Sequence, residues 1–112
     1  MSQEQLEAIE ISIEDAKKAI DLRESLEKLS ANPDFKKIML DGYFKEECIR
    51  LVLVKADYEM RDEDSQTQIT KSIDAIGHTQ TYLRTIMLRG SMAARNLKGD
   101  EKTREELQDE QH

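Results

Sequence analysis

Along the second half of the chain, Ile69, Ile73, Ile76, Gln80, Leu83, Met87, Gly90, Ala94 and Leu97 are spaced 4, 3, 4, 3, 4, 3, 4 and 3 residues apart. Only a helix brings such positions back to one side; a strand alternates every second residue. The spacing predicts one helix over 65–97, roughly 50 Å long at 1.5 Å per residue. Such a rod is longer than a 112-residue globule needs. Its apolar seam must be covered, either by the rest of the chain or by a second copy. Ser65 and Gln68 match a capping box just ahead of Ile69, and Gly99 suits a C-terminal cap. Gln80 reads in two ways: as a register-setting polar pair in a self-associating coil, or as the place where the seam meets water. Gly90 and Ala94 allow two backbones to approach, within the chain or between chains.

The seam cannot rest on aromatic side chains, because only 4% of residues are aromatic and Trp is absent. The interior must therefore be aliphatic. A charged fraction of 37%, with one proline and four glycines, points to long exposed helices rather than an α/β globule. No run of 18 apolar residues is present, so no membrane-spanning helix is expected. The acidic start "MSQEQLEAIE" lacks the basic-then-apolar layout of a signal peptide. The single cysteine excludes an internal disulfide and a multi-cysteine zinc site. An intracellular, soluble protein is the expectation.

Two further helices precede the long one. "IEISIE" alternates like a strand, but Leu6, Ile9, Ile13, Ala16 and Ile20 step by 3, 4, 3 and 4, which is a helix face. Ala19, Leu22, Leu26 and Leu29 continue the face displaced by one residue, about 100° round the helix. One amphipathic helix over 3–30 follows, with Ile11 on its flank. Asn32 and Pro33 then supply an N-cap and first turn. The second helix meets Gly42, where a kink or a break is expected. Beyond it, Leu40, Phe44, Cys48, Leu51 and Val52 form one row, and Ile49, Leu53 and Ala56 another. Apolar residues over most of the circumference predict a helix buried in the middle of a bundle, with Glu46 as the ion partner of Arg50. Only the Phe35–Tyr43 end, kept wet by Lys36, Lys37 and Asp41, retains the character of a docking surface.

The formal charge of −7 is uneven: residues 65–98 carry +4, while the segments on either side are acidic. The simplest partner for this basic segment is the protein's own acidic helix or a second copy. Arg84, Arg89, Arg95 and Lys98 do not share one face and lack aromatic company, which argues against direct nucleic-acid binding. The acidic face and tail could instead imitate a phosphate backbone. The acidic polar face of the first helix has the wrong sign for anionic lipid. Asp74, His78 and Tyr82 form a row one turn apart that could be drawn as acid–base chemistry. No nucleophile or glycine-rich loop accompanies it, and an exposed histidine is the simpler reading. Cys48 reads as a small buried hydrophobe. Glu46 and Glu47 lack the Glu-x-x-His repeats of a helical di-metal centre. We therefore expect no catalytic residue, no cofactor and no metal site.

The segments "FKKIMLDGYFKEECIRLV" and "TYLRTIMLRGSMAARNL" resemble those of small helical proteins encoded by tailed bacteriophages. In those proteins a Phe-rich helix with a central Gly-Tyr leads into an Arg-Leu run. An acidic turn follows, and then a long helix containing Tyr-Leu-Arg. The likeness covers roughly residues 20–98. It implies a non-enzymatic phage product made with capsid and assembly proteins, in the host cytoplasm or the virion; it assigns no functional residue. Together these readings predict an all-α, three-helix antiparallel bundle over 1–98 with a long C-terminal helix. An acidic polar tail over 99–112 is expected as a solvated helix extension or a disordered segment. The expected function is self-association through Ile69, Ile73, Ile76, Gln80, Leu83, Met87, Gly90 and Ala94, with other phage assembly proteins as partners. The alternative is an acidic phage inhibitor of a host nucleic-acid enzyme or defence complex.

Overall fold

The computed structural model describes residues 2–110, and every regular element among them is helical. Helix α1 spans Ser2–Ser30. A short turn, α2 (Pro33–Phe35), leads into a π-helix (Lys36–Glu47) and then α3 (Cys48–Lys55). A 3₁₀ turn (Tyr58–Met60) precedes α4 (Glu63–Glu110), 48 residues long. The chain divides into two compact units, Glu27–Arg84 and a second made of Met1–Leu26 with Thr85–His112.

The unit Glu27–Arg84 starts at the end of α1. The amide of Asn32 donates to the Leu29 carbonyl at 3.0 Å, closing the last turn. Asn32 is extended (φ −71°, ψ 124°), and its Oδ1 accepts from the amides of Asp34 and Phe35 at 2.9 and 3.1 Å. This satisfies two of the orphan donors of the new helix, and Pro33 has none to lose.

The expected break at Gly42 is absent: the π-helix passes through it. Its wide i→i+5 turn has a reason in the side chains. The half-buried residues of this stretch include Phe35, Met39, Leu40, Tyr43, Phe44 and Cys48, recurring every four to five positions. A turn of α-helix is too tight to keep that spacing on one side. The wider turn holds Tyr43, Phe44 and Cys48 together against the cluster of Leu51, Ile69 and Ile76, and leaves Ile38 65% exposed. Gly42 accommodates the turn, since a Cβ there would lie 3.0 Å from the Lys37 carbonyl oxygen.

The middle helix is not the buried centre of a bundle. Leu51 is 6% exposed and forms the core with Ile69 and Ile76, joined by Val54 and Ile73. The opposite row stands in solvent, with Ile49 and Val52 each 53% exposed and Leu53 67%. The cluster around Leu51 draws its covering residues from α4 and the π-helix, and these reach one side of α3 only. Arg50 pairs with Glu47 rather than the expected Glu46, its Nε donating to Oε2 at 2.9 Å. That hydrogen bond, and then the charge of Arg50, hold the Glu47 carboxyl below its ordinary range.

The linker is fastened to α4. Gln66 Nε2 donates to the carbonyls of Lys55 (2.9 Å) and Met60 (2.6 Å), and Lys55 Nζ donates to Thr70 Oγ1 at 3.2 Å. The helix starts three residues earlier than the Ser65–Gln68 box predicts. Asp62 caps it, with Oδ2 accepting from the Ser65 amide at 2.9 Å, and Glu63 and Asp64 add negative charge at the positive end of the dipole. The bond from the Ser65 amide, then that from its side chain, lower the Asp62 pKa. A carboxylate with a depressed folded pKa stabilises the fold above its unfolded value, about 3.9. That contribution is lost as pH falls through the lower, folded value. Acidification below about pH 4 is therefore expected to fray the first turn of α4. The check is the Ser65 amide shift in an NMR titration, whose acid step should vanish in Asp62→Ala.

The unit Met1–Leu26 with Thr85–His112 buries Ile13, Leu26, Ile86 and Gly90. A Cβ on Gly90 would fall 2.4 Å from Arg23 Cβ and 3.0 Å from the Ala19 carbonyl oxygen, so α1 and α4 are in close contact there. Further along, Ser12 Oγ donates to Asp100 Oδ2 at 2.8 Å, and Ile9 and Leu107 line one shallow hollow. Gly99 does not end the helix, which continues to Glu110. Residues 99–110 are thus helical and partly packed against α1. The end of the expected tail, 111–112, lies outside the described residues.

Candidate functional site

The long-helix seam is covered in part by the chain itself. Ile69 and Ile76 are buried and Ile73 packs against them, all facing Leu51. Leu83 and Met87 are half-buried, and Gly90 meets Ala19 and Arg23 of α1. Gln80 and Ala94 are exposed, so the seam meets water at Gln80. Of the eight residues expected to form an interface, Ile69, Ile76 and Gly90 are buried within the chain, and Ile73, Leu83 and Met87 are half-buried. A one-sided stripe needs cover, and the chain supplies much of it.

The apolar surface left open is on α3. Ile49, Val52, Leu53 and Ala56 sit at i, i+3, i+4 and i+7, which is one helix face, and all four are exposed. Isolated apolar residues on a surface are ordinary, whereas several in one patch mark an interaction site. Sequence periodicity registers this row but assigns it to the core. What decides its fate is the position of α4, which no local pattern records.

Asp74, His78 and Tyr82 are exposed. Cys48 is a free thiol packed beside Leu51, Ile69 and Ile76, as a small hydrophobe would be. Among the described residues, no three His, Cys, Asp or Glu side chains gather as a metal site. No helix among the described residues is long and apolar enough to cross a membrane.

An open groove in the unit Met1–Leu26 with Thr85–His112 is lined by Ser12, Asp15, Ala19, Arg89, Arg95 and Asp100, among others. It brings two basic side chains of α4 beside acidic ones. Ion pairs such as Lys18–Glu14 and Arg50–Glu47 each join neighbours on one stretch of helix. At the surface such pairs contribute little to stability. The Ser12–Asp100 bond, spanning 88 residues, has no local sequence signal.

The chain matches no protein-family model, no curated protein and no solved structure.

Proposed function

We propose that the chain is a non-catalytic helical interaction protein that self-associates and serves in the assembly or structure of a phage particle. The carrying observation is the exposed Ile49, Val52 and Leu53 face of α3. Burying such a face is the main source of free energy in association. The exposure of Asp74, His78 and Tyr82 and the packing of Cys48 support a non-catalytic role.

An antiparallel arrangement of the helices belongs to the same proposal. Along α1, Ile9 shares a hollow with Thr103 and Leu107, Ser12 bonds Asp100, and Ala19 and Arg23 meet Gly90. The numbers on α4 fall as those on α1 rise. The phage setting rests on the resemblance carried by the Gly42-Tyr43-Phe44 and Tyr82-Leu83-Arg84 segments.

Two measurements test this reading. Sedimentation of the purified protein is expected to show more than the monomer mass, rising with concentration. A mass-spectrometric inventory of purified particles and assembly intermediates is expected to contain the chain. A monomer at every concentration that is also absent from particles would overturn the proposal. Capture of a host nuclease or polymerase in place of capsid proteins would favour the acidic inhibitor.

A further inference from the structure

We infer that residues 36–47 form a register switch: rewound as α-helix, they turn α3 by about half a turn and exchange the Leu51 row for the Ile49 and Leu53 row against α4. The switch lies within the unit Glu27–Arg84 and operates whether or not the chain self-associates.

The sequence holds two α-helical rows here. Phe35, Met39, Gly42, Glu46, Ile49 and Leu53 step 4, 3, 4, 3 and 4, and Leu40, Phe44, Glu47, Leu51 and Val54 step 4, 3, 4 and 3. On one unbroken α-helix Phe35 and Leu53, about five full turns apart, would share a side, whereas Phe35 and Leu51 would differ by about 160°. The structure nevertheless covers both, with Phe35 half-buried and Leu51 buried. The second row is covered throughout, while the first passes into solvent from Glu46 onward. The wide turns of the π-helix absorb the difference. At 12 residues it is far longer than the single turns usual for this winding.

The start of the segment is anchored by the Asn32 cap on the amides of Asp34 and Phe35, so α3 is the part that turns. With α winding from Phe35 onward, Ile49 and Leu53 come round to Ile69, Ile73 and Ile76, and Phe44, Cys48 and Leu51 turn to solvent. Both rows offer aliphatic side chains of similar size, so α4 can pack on either. Three features hold the present register. Tyr43 and Phe44 stay on the cluster, Glu46 stays in water, and the Lys55 carbonyl accepts from Gln66 and Arg61. The other register is therefore the minor state. Gly42 sets the balance: a Cβ there, 3.0 Å from the Lys37 carbonyl oxygen, would crowd the π turn, and alanine favours α winding. A partner that binds either row selects one register, because packed elements move between discrete arrangements.

The test is disulfide trapping in the full chain, diluted so that only intramolecular bonds form, with circular dichroism to confirm folding. In a Cys48→Ser background, Leu53→Cys with Ile73→Cys should close under a mild oxidant. Leu53→Cys with Ala75→Cys, about 200° round α4 from residue 73, should not. Adding Gly42→Ala should speed the first closure about fivefold. In the chain with its native thiol, Gly42→Ala should raise the rate of Cys48 alkylation by the same factor. That measurement needs no engineered pair, so it decides the matter even if the cysteine variants fail to fold. Equal closure by the two pairs would mean general opening rather than a turn of α3, and would overturn the switch. A Gly42→Ala variant alkylated at the unaltered rate would overturn it too.

Discussion

Gly90→Ala is expected to destabilise the protein by about 1–3 kcal/mol, the usual cost of overpacking, although helix propensity alone would favour it. In an open helix the exchange of Gly for Ala gains about 1 kcal/mol. At position 90 the new Cβ would lie 2.4 Å from Arg23 Cβ and 2.9 Å from its Cδ. The Cδ could swing away, but the Cβ is tied to the backbone, so α1 and α4 must separate locally. Arg23→Ala keeps that Cβ and should therefore not rescue Gly90→Ala. A Cβ added at Gly77 or Gly99 of the same helix would meet nothing within 4 Å. Gly77→Ala and Gly99→Ala should each stabilise by up to about 1 kcal/mol, reading as thermal shifts of opposite sign to that of Gly90→Ala. Full recovery in the Arg23→Ala double variant would show that a movable side chain, not close helix contact, set the cost.

The second large effect separates two leucines two residues apart. Leu51→Ala should cost about 2–5 kcal/mol, because it opens a cavity beside Ile69 and Ile76 that neighbours fill only in part. Leu53→Ala, at 67% exposed, should change monomer stability by less than about 0.5 kcal/mol. Urea unfolding at a concentration too low for association checks the pair. Equal losses at the two positions would mean that both faces of α3 are covered within one chain.

The leucine pair also shows where the sequence stops being informative. Its periodicity identifies α1 almost to the residue and establishes that residues 65–97 form one helix, because 3.6-residue spacing is a property of a single element. It cannot tell the Leu51 row from the Leu53 row, since both are apolar and only the position of α4 distinguishes them. The seam of α4 is legible as a stripe needing cover, but the identity of the cover is tertiary information. That is why Ile69, Ile73 and Ile76 read equally well as core or as interface. The π-helix was within reach, because Phe35, Met39, Tyr43 and Cys48 recur every four to five residues; an α-helical template assigns part of that set elsewhere. Gly99 and the Ser65–Gln68 box illustrate a different limit. Local capping signals compete with their surroundings, and here Asp62 captures the Ser65 amide first, while contacts such as Ser12–Asp100 accompany a helix that continues past Gly99.

The wide coil over 36–47 also bears on how this chain uses scarce material. It has only two phenylalanines and three tyrosines, and it stations one of each on adjacent positions, Tyr43 and Phe44, with ring centres 5.6 Å apart. Two consecutive residues seldom shield the same spot, because a tighter winding points them in divergent directions. Slackening the winding brings both rings against the one cluster of Leu51, Ile69 and Ile76, so a kind of side chain about ninefold scarcer than the charged ones (4% against 37%) serves as a double roof.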